Sequence, residues 1–465
     1  MELINTIWFL YLTSAVCFVA GLHFMNNPKT ARKGNFISMF GMLLACLVAC
    51  WQTSLNNKAN FDKFSFLVLF LGIGLGAATG ASLAKQVKMT QMPQLVSLFN
   101  MVGGGAAAII ALNDFYGLKQ INLITIIASF LGIIIGSITF TGSFIASAKL
   151  HGKIPSGVID FAGRIVIIII LIVAILISLT SINSENLIHI SWLIAGFSAI
   201  IGILFTLAIG GADMPVVISV LNAFTGLAVA MSGFIIYNPV MVIAGAIVGS
   251  AGCILSILMS RAMNRKLIKI MLGGFGQKAG DNSNSSILSQ NIRTTTADDL
   301  ALRLAYANDV IIIPGFGLAQ AGAAGEIAQL DNELTKKGVN VKYAIHPVAG
   351  RMPGHMNILL AEANINYDKM LELEAANTAF PLADIALVVG ANDVTNPAAR
   401  KSGSAISGMP ILNVDQAKDI TVIKRGSGLG FAGIENLLYS DEKTTMLYGD
   451  AKKALSETVE SLSEL

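Results

Sequence analysis

The segment Asp309 to Pro314, DVIIIP, runs into Gly315-Phe316-Gly317 and then into a helix-forming stretch. Strand, glycine turn and helix form the context in which a backbone can approach a pyrophosphate, because glycine places no Cβ between chain and ligand. The third small position of the usual pattern is occupied by Gln320, between Ala319 and Ala321, so a plain strand-to-helix turn stays open as an alternative.

The next predicted strand says which nucleotide such a turn would suit. A ribose 2'-hydroxyl is held by an Asp or Glu past the glycines, whereas a 2'-phosphate needs cations. No acidic residue occurs from Asn340 through Ala361, and a later strand ends in Lys424-Arg425-Gly426-Ser427-Gly428-Leu429-Gly430. Arginine binds a phosphomonoester bidentately and glycines expose backbone donors, so NADP fits this end better than NAD. The competing reading of Lys424-Arg425 is a solvated strand end. A third strand end carries Gly390-Ala391-Asn392-Asp393-Val394. Asx residues favour such turns for structural reasons alone, but a carboxylate beside a phosphate-bearing ligand has its protonation coupled to occupancy.

Further polar groups lie inside long apolar runs. Asn100 shares a helical stripe with Pro93, Ser97 and Gly104, and Asn222 repeats the arrangement with Ser219 and Gly226. Such stripes can line a hydrated path, or they can serve helix packing through small residues and interhelical hydrogen bonds. Asp213, in GGADMP, stands at a helix start where capping is the simple explanation, and Ser143 closes TFTGS.

These residues require two kinds of scaffold. The chain of 465 residues is 54% hydrophobic and 13% charged, far below the charged share of about 25% in soluble proteins. The apolar runs, at roughly 20 residues per crossing, give nine candidate spans: 4–25, 36–52, 66–84, 93–113, 121–147, 165–182, 190–209, 215–237 and 240–259. Alternate breaks hold most of the Lys and Arg (Lys29, Arg32 and Lys33; Lys85 and Lys88; Lys149, Lys153 and Arg164; Arg261, Arg265, Lys266 and Lys269). By the bias of basic residues toward cytoplasmic loops, the N-terminus is expected outside and the C-terminal third in the cytoplasm. Net charge of +3 without a run of like charges excludes nucleic acid as a partner. The four cysteines have no disulfide or zinc spacing, and no metal site is expected.

From Gly273 the composition changes. The stretch 273–296, opening GGFGQKAGDNSNSS, is expected to be a linker between a 1–272 transmembrane domain and a 297–465 soluble domain. In the latter, strands are expected at Asp309 to Pro314, Val339 to Ile345, Ile385 to Val389, Pro410 to Val414 and Ile420 to Lys424. Helices are expected at Ala319 to Lys337, His355 to Ala363 and Thr444 to Leu462. That order implies a Rossmann-like α/β domain with a doubly wound parallel sheet, which binds ligands at the C-terminal strand ends.

The motifs GGADMPVV (210–217), TFTGS (139–143), SRAMNRK (260–266), PGFG (314–317), IHPVAGRMPGHMN (345–357), LLAEA (359–363), GANDVTNPAA (390–399), GMP (408–410), the Lys424-Arg425 pair and YGDAK (448–452) resemble the beta subunit of proton-translocating NAD(P) transhydrogenase over nearly the whole chain. The resemblance implies a bacterial inner-membrane protein that binds NADP(H). It would exchange hydride with NAD(H) held by an alpha-type partner, move protons across the membrane, and work as a homodimer of alpha–beta units. It further implies nucleotide contacts at Phe316, Val348, Ala349, Gly350, Arg351, Met352, Pro353, the Gly390 to Val394 loop, Gly408, Met409, the segment Lys424 to Phe431, Asp450 and Ala451. His346 and Asp393 are the candidate catalytic groups, and Asn100, Ser143, Asp213 and Asn222 would form the proton path.

Three departures from the family pattern stand out. Many members resemble this chain except for a His at Asn100, and a neutral amide takes up no proton as imidazole does; the titrating group is then expected in a span of the partner. The family usually has Tyr at Phe316 and Phe431, and many relatives have Lys-Arg-Ser where this chain has Gly426-Ser427. The rival function is a channel or transporter gated by an NADP-sensing domain.

Overall fold

The structure, a computed structural model, describes residues 2–56, 63–87, 91–117, 123–155, 159, 163–180, 186–263, 266–271, 292–350, 354–402, 404, 406–426, 430 and 434–465. Most of the expected linker, together with Arg351, Met352, Pro353, Ser427, Gly428, Leu429 and Phe431, lies outside these residues.

The chain divides into two units, Met1–Ser256 and Ile257–Leu465. The apolar runs of the first form helices α1 (Glu2–Met25), α2 (Pro28–Asn56), α3 (Lys63–Gln86), α4 (Met92–Gly117), α5 (Leu123–Leu150), α6 (Arg164–Thr180), α7 (Leu187–Leu207), α8 (Met214–Ile235) and α9 (Pro239–Ala262). Among the described residues eight of these are long and apolar enough to cross a membrane, and α6 is a shorter apolar helix. In lipid a segment must satisfy its backbone groups internally, which is why each run closes into a helix. Helices α4, α5, α7 and α8 pack around one another. Their backbones come close at glycines: a Cβ on Gly104 would lie 2.8 Å from Thr139 Cβ, and one on Gly136 would lie 2.6 Å from Gly104 O. A small turn helix, Gly211–Asp213, precedes α8.

The second unit takes in the end of α9 and contains α10 (Leu267–Met271), β1 (Arg293–Thr294), α11 (Ala297–Ala305), β2 (Asp309–Pro314), α12 (Phe316–Ala321), α13 (Ala324–Lys336), β3 (Asn340–Ala344), α14 (His355–Glu362), β4 (Met370–Leu371), α15 (Leu373–Ala379), β5 (Ile385–Val389), β6 (Asp419–Lys424), β7 (Thr444–Tyr448) and α16 (Ala451–Glu464). All strand pairs are parallel and the sheet order is β1-β7-β6-β5-β2-β3-β4. Buried apolar side chains cover both faces: one cluster packs α11, α13, α14 and α16 on the sheet, the other α15 and the short turns. The fold is therefore a polytopic helical bundle with a C-terminal Rossmann-like α/β domain, a doubly wound parallel sheet.

Three expected elements differ. Pro410 to Val414 forms no strand: the Ile411 carbonyl and Asn413 N–H are taken by the Asn377 side chain, and Leu412 N–H by Val394 O. The alternation there serves a cross-linked loop that buries Leu412 and Val414. Thr444 to Leu462 is a strand followed by a helix, because the β-branched start joins the sheet beside β6 and Asp450 caps α16 by accepting the Lys452 N–H at 3.0 Å. Ala319 to Lys337 is two helices, broken where Gly322 takes the left-handed conformation at φ 64°.

Candidate functional site

From β2 the chain winds outward through β3 and β4, then returns to place β5 on the other side of β2. The connections leaving β2 and β5 diverge at this reversal, and such a point is where an open α/β sheet forms a ligand crevice. Both strands end in glycine. Gly315 N–H donates to Val389 O and Gly317 N–H to Gly390 O, each at 2.9 Å. A Cβ on Gly315 would collide with the Gly390 carbonyl and Ala391, and one on Gly317 would lie 2.7 Å from Gly390 Cα. Gly390 adds a positive φ of 65°, so only glycine meets both demands without strain.

The loop after β5 is fixed from the far side of the chain. Tyr439 donates its hydroxyl to Asn392 Oδ1 at 2.9 Å, and Asn436 Nδ2 donates to Asn392 O at 3.0 Å. Asn396 accepts from Ala398 N–H at 3.0 Å and donates to Glu435 O at 2.9 Å. Gly430 presses against this loop, since a Cβ there would meet Asp393 Oδ1 and come within 2.6 Å of Asn392 Nδ2. Lys424, at the end of β6, holds its ammonium 4.7 Å above the Tyr439 ring. Burial lowers the Lys424 pKa and the nearby Asp393 charge opposes that shift. The Tyr439 phenol is pushed up, by burial first, so it stays a donor. Arg425 is exposed beside this group.

The loop after β3 is tied in through His346, which is only 2% exposed. Its Nδ1 accepts from Val348 N–H at 3.2 Å, which leaves Nε2 as the donor to Pro410 O at 2.7 Å. Burial lowers its pKa to about 4, with the Pro410 hydrogen bond opposing. The imidazole is thus neutral and in a single tautomer, joining the Val348–Gly350 turn to the Gly408–Met409–Pro410 segment. Gly350, at φ 102°, lies against the His355 ring, which also stacks edge-on to Phe316 with centroids 6.4 Å apart. Gly408, at φ 74°, donates its N–H to Ala399 O at 2.7 Å. Asp450 and Ala451 follow β7, one strand further from the crevice.

The structure therefore brings together Gly315, Gly317, Gly390, Ala391, Asn392, Asp393, Lys424 and Gly430, and links His346, Val348 and Met409 to them through loops. Tyr439, Asn436 and Asn377 were missed from the sequence, and Asn396 stood there only as part of the loop after β5. An Asn beside Pro397 marks a turn, but nothing in the spacing says that Tyr439 would reach Asn392 across the sequence.

In the helical unit, Asn100 is buried and donates from Nδ2 to Ile218 O at 3.2 Å, while Thr225 Oγ1 donates to Asn100 O at 3.4 Å. Asn222, half-buried, lies on α8 between those two partners. Ser97 Oγ donates to Ser143 O at 2.7 Å, and the Ser143 hydroxyl, fully buried, has no hydrogen-bond partner among the described residues. Asp213 occupies the N-cap position of α8, but its carboxylate accepts no capping bond from that helix. Capping, the simple explanation for an Asp there, is not what the side chain does.

Comparison with known proteins adds the following. The sequence profile described as NAD(P) transhydrogenase beta subunit matches residues 7–461. Two Rhodospirillum rubrum sequences, each named NAD(P) transhydrogenase subunit beta, are 42% identical to this chain over 465 residues, covering 97% of it and 98% of their own length.

Proposed function

We propose, from the premise that this chain belongs to the NAD(P) transhydrogenase beta subunit family, that its soluble domain binds NADP(H) in the β2–β5 crevice. There it exchanges hydride with NAD(H) on an alpha-type partner, and the helical unit couples this exchange to proton movement. The observation that carries the NADP(H) assignment is the set of backbones at Gly315, Gly317, Gly390 and Gly430, each too close to its neighbours for a Cβ. They converge beside the Lys424-Arg425 strand end, while the β3 end offers no carboxylate. These residues fit a phosphate-rich nucleotide that carries a 2'-phosphate.

Lys424, Arg425 and Ser427 would hold the phosphomonoester, and Phe316, the Val348 to Pro353 turn, Gly390 to Val394, Gly408, Met409 and Asp450 with Ala451 the remainder. When bound, NADPH supplies the hydride. This chain's part is to orient it: His346 ties two contacting loops in a fixed tautomer, and Tyr439 and Asn436 fix Asn392 so that Asp393 is held near Lys424. His346 is thereby a positioning residue, whereas Asp393 is the group whose charge would respond to the ligand. Asn100, Ser143 and Asn222 belong to the proton path, and Asp213 and Asp393 are the ends of the coupling element in their respective units.

The division of labour follows the expected boundaries, 1–272 for translocation, 273–296 as connection and 297–465 for NADP(H). The protein would sit in a bacterial inner membrane with its N-terminus outside and its soluble domain in the cytoplasm, in a pair of alpha–beta units. The family's oxidoreductase character speaks against a domain that only senses NADP. The test is hydride transfer from NADPH to an NAD analogue. The chain alone is expected to be inactive and the chain with its alpha-type partner active, because both nicotinamides must meet. Turnover by the purified chain alone would refute the assignment.

A further inference from the structure

We propose that Asp114 is a proton-accepting group of this chain at the end of the helical unit opposite Asp213, alongside the titrating group expected in a span of the partner, an inference that rests on the translocase reading above. Asn100 cannot titrate, and the sequence of α4, α5 and α8 contains one carboxylate, Asp114. It lies on the same helix as Asn100, about four turns or ~21 Å further along, and so on nearly the same face. Between them this face carries Gly104, Ala107, Ala108 and Ala111, small and in the case of the alanines buried.

The two ends of the unit are fixed by hydrogen bonds. At one end Gln94 on α4 donates to Leu150 O on α5, and Asn100 to Ile218 O near the start of α8, the end at which Asp213 stands. At the other, Ser129 Oγ on α5 donates to Asp114 Oδ2 at 2.9 Å, Thr125 meets the Tyr237 hydroxyl at 3.3 Å, and Trp192 Nε1 donates to the Tyr116 hydroxyl at 3.1 Å. Tyrosine and tryptophan gather at the boundary of lipid and water, which places Asp114 where protons can be exchanged with the aqueous phase.

A structural role explains this carboxylate poorly. It sits in the last turn of α4, where the helix dipole opposes negative charge. No Lys, Arg or His pairs with it among the described residues. Ser129, fully buried, would be satisfied as well by a neutral amide, without the cost of a charge near lipid. Among the described residues the other titratable side chains at this end of α4, α7 and α8 are Tyr116, His189 and Tyr237, and α5 contributes the hydroxyls of Thr125 and Ser129. Lys149 is at the far end, donating to Leu207 O and Ile209 O. Proton uptake converts the carboxylate to a carboxylic acid that can itself donate, and release restores Ser129 as the donor.

The experiment uses the full chain with its alpha-type partner in proteoliposomes, reading pumping with a pH-sensitive dye alongside hydride transfer from NADPH to an NAD analogue. Asp114→Asn is expected to lower pumping and coupled turnover together by roughly tenfold or more, leaving NADP(H) affinity unchanged, and Asp114→Glu to restore most of the loss. Ser129→Ala, which keeps the carboxylate, should pump but with a displaced pH profile, a change that a purely structural contact would not produce. Pumping by Asp114→Asn at the wild-type proton-to-hydride ratio would overturn the assignment, as would an unshifted Ser129→Ala profile or an Asp114→Glu variant as inactive as the amide. If the wild-type complex transfers hydride without pumping, the translocase reading falls and this one with it; if it pumps and Asp114→Asn pumps equally, only the role of Asp114 falls.

Discussion

Glycine brings backbones together both between α4 and α5 and at the ends of β2 and β5, yet the two regions use that closeness differently. Gly104 and Gly136 sit in ordinary helical conformation, and what fills the missing Cβ is the neighbouring helix. Gly315, Gly317 and Gly390 fill theirs with one another's loops at the point where the strand order reverses, and Gly390 also needs a left-handed backbone. Small residues at regular spacing therefore do not distinguish helix packing from a ligand cradle. The topology around them does.

That contrast can be broken by adding one methyl group in each place. Gly390→Ala meets both a positive φ and Gly317 Cα at 2.5 Å. A left-handed alanine costs about 1–2 kcal/mol and overpacking about 1–3 kcal/mol, so the loss of stability should be about 2–5 kcal/mol, with NADP(H) binding lost. Chemical denaturation of the full chain in detergent reads it. Gly104→Ala should cost less, because the helix gains about 1 kcal/mol in propensity against the contact with Thr139. A cost at Gly104 equal to that at Gly390 would remove the distinction between the two regions.

The soluble site also has a pH signature of its own. The His346 pKa is depressed from 6.5 to about 4 by burial. The folded state then binds fewer protons than the unfolded state between these values, so stability is full above pH 6.5 and is lost as pH falls through about 4. The whole effect is roughly 3 kcal/mol by the linkage of pKa to free energy. His346→Gln, which can still donate to Pro410 O, should flatten this slope in thermal denaturation followed across that range; an unchanged slope would mean another group carries it. The smallest effect belongs to Asn100→Leu, which removes one interhelical hydrogen bond in lipid at a cost of about 0.6 kcal/mol. It should therefore leave the fold intact and expose any loss of pumping as functional.

The sequence made β2 and β5 legible to the residue, because five or six consecutive β-branched or apolar residues bounded by Asp and Gly have no other use in an α/β domain. The apolar helices among the described residues were equally plain, since lipid demands unbroken runs. Less visible was anything that depends on side chains meeting across the chain. Pro410 to Val414 alternates like a strand but spends its backbone groups on Asn377 and Val394, and Thr444 to Leu462 hid a strand in front of a helix. At the site, glycines and cations could be read from type and spacing. The Tyr439 and Asn436 hydrogen bonds to Asn392, and the use of both His346 nitrogens in loop contacts, could not, because each joins residues that only the fold makes neighbours.

The central claim is that the β2–β5 crevice selects a nucleotide bearing a 2'-phosphate, and calorimetric titration of the full chain in detergent with NADPH and with NADH tests it most directly. NADPH is expected to bind at least about tenfold tighter, the equivalent of one charge-assisted phosphate contact of roughly 1.5–3 kcal/mol, with most of that preference gone in Arg425→Ala. Equal affinities for the two nucleotides in the unsubstituted chain would contradict it.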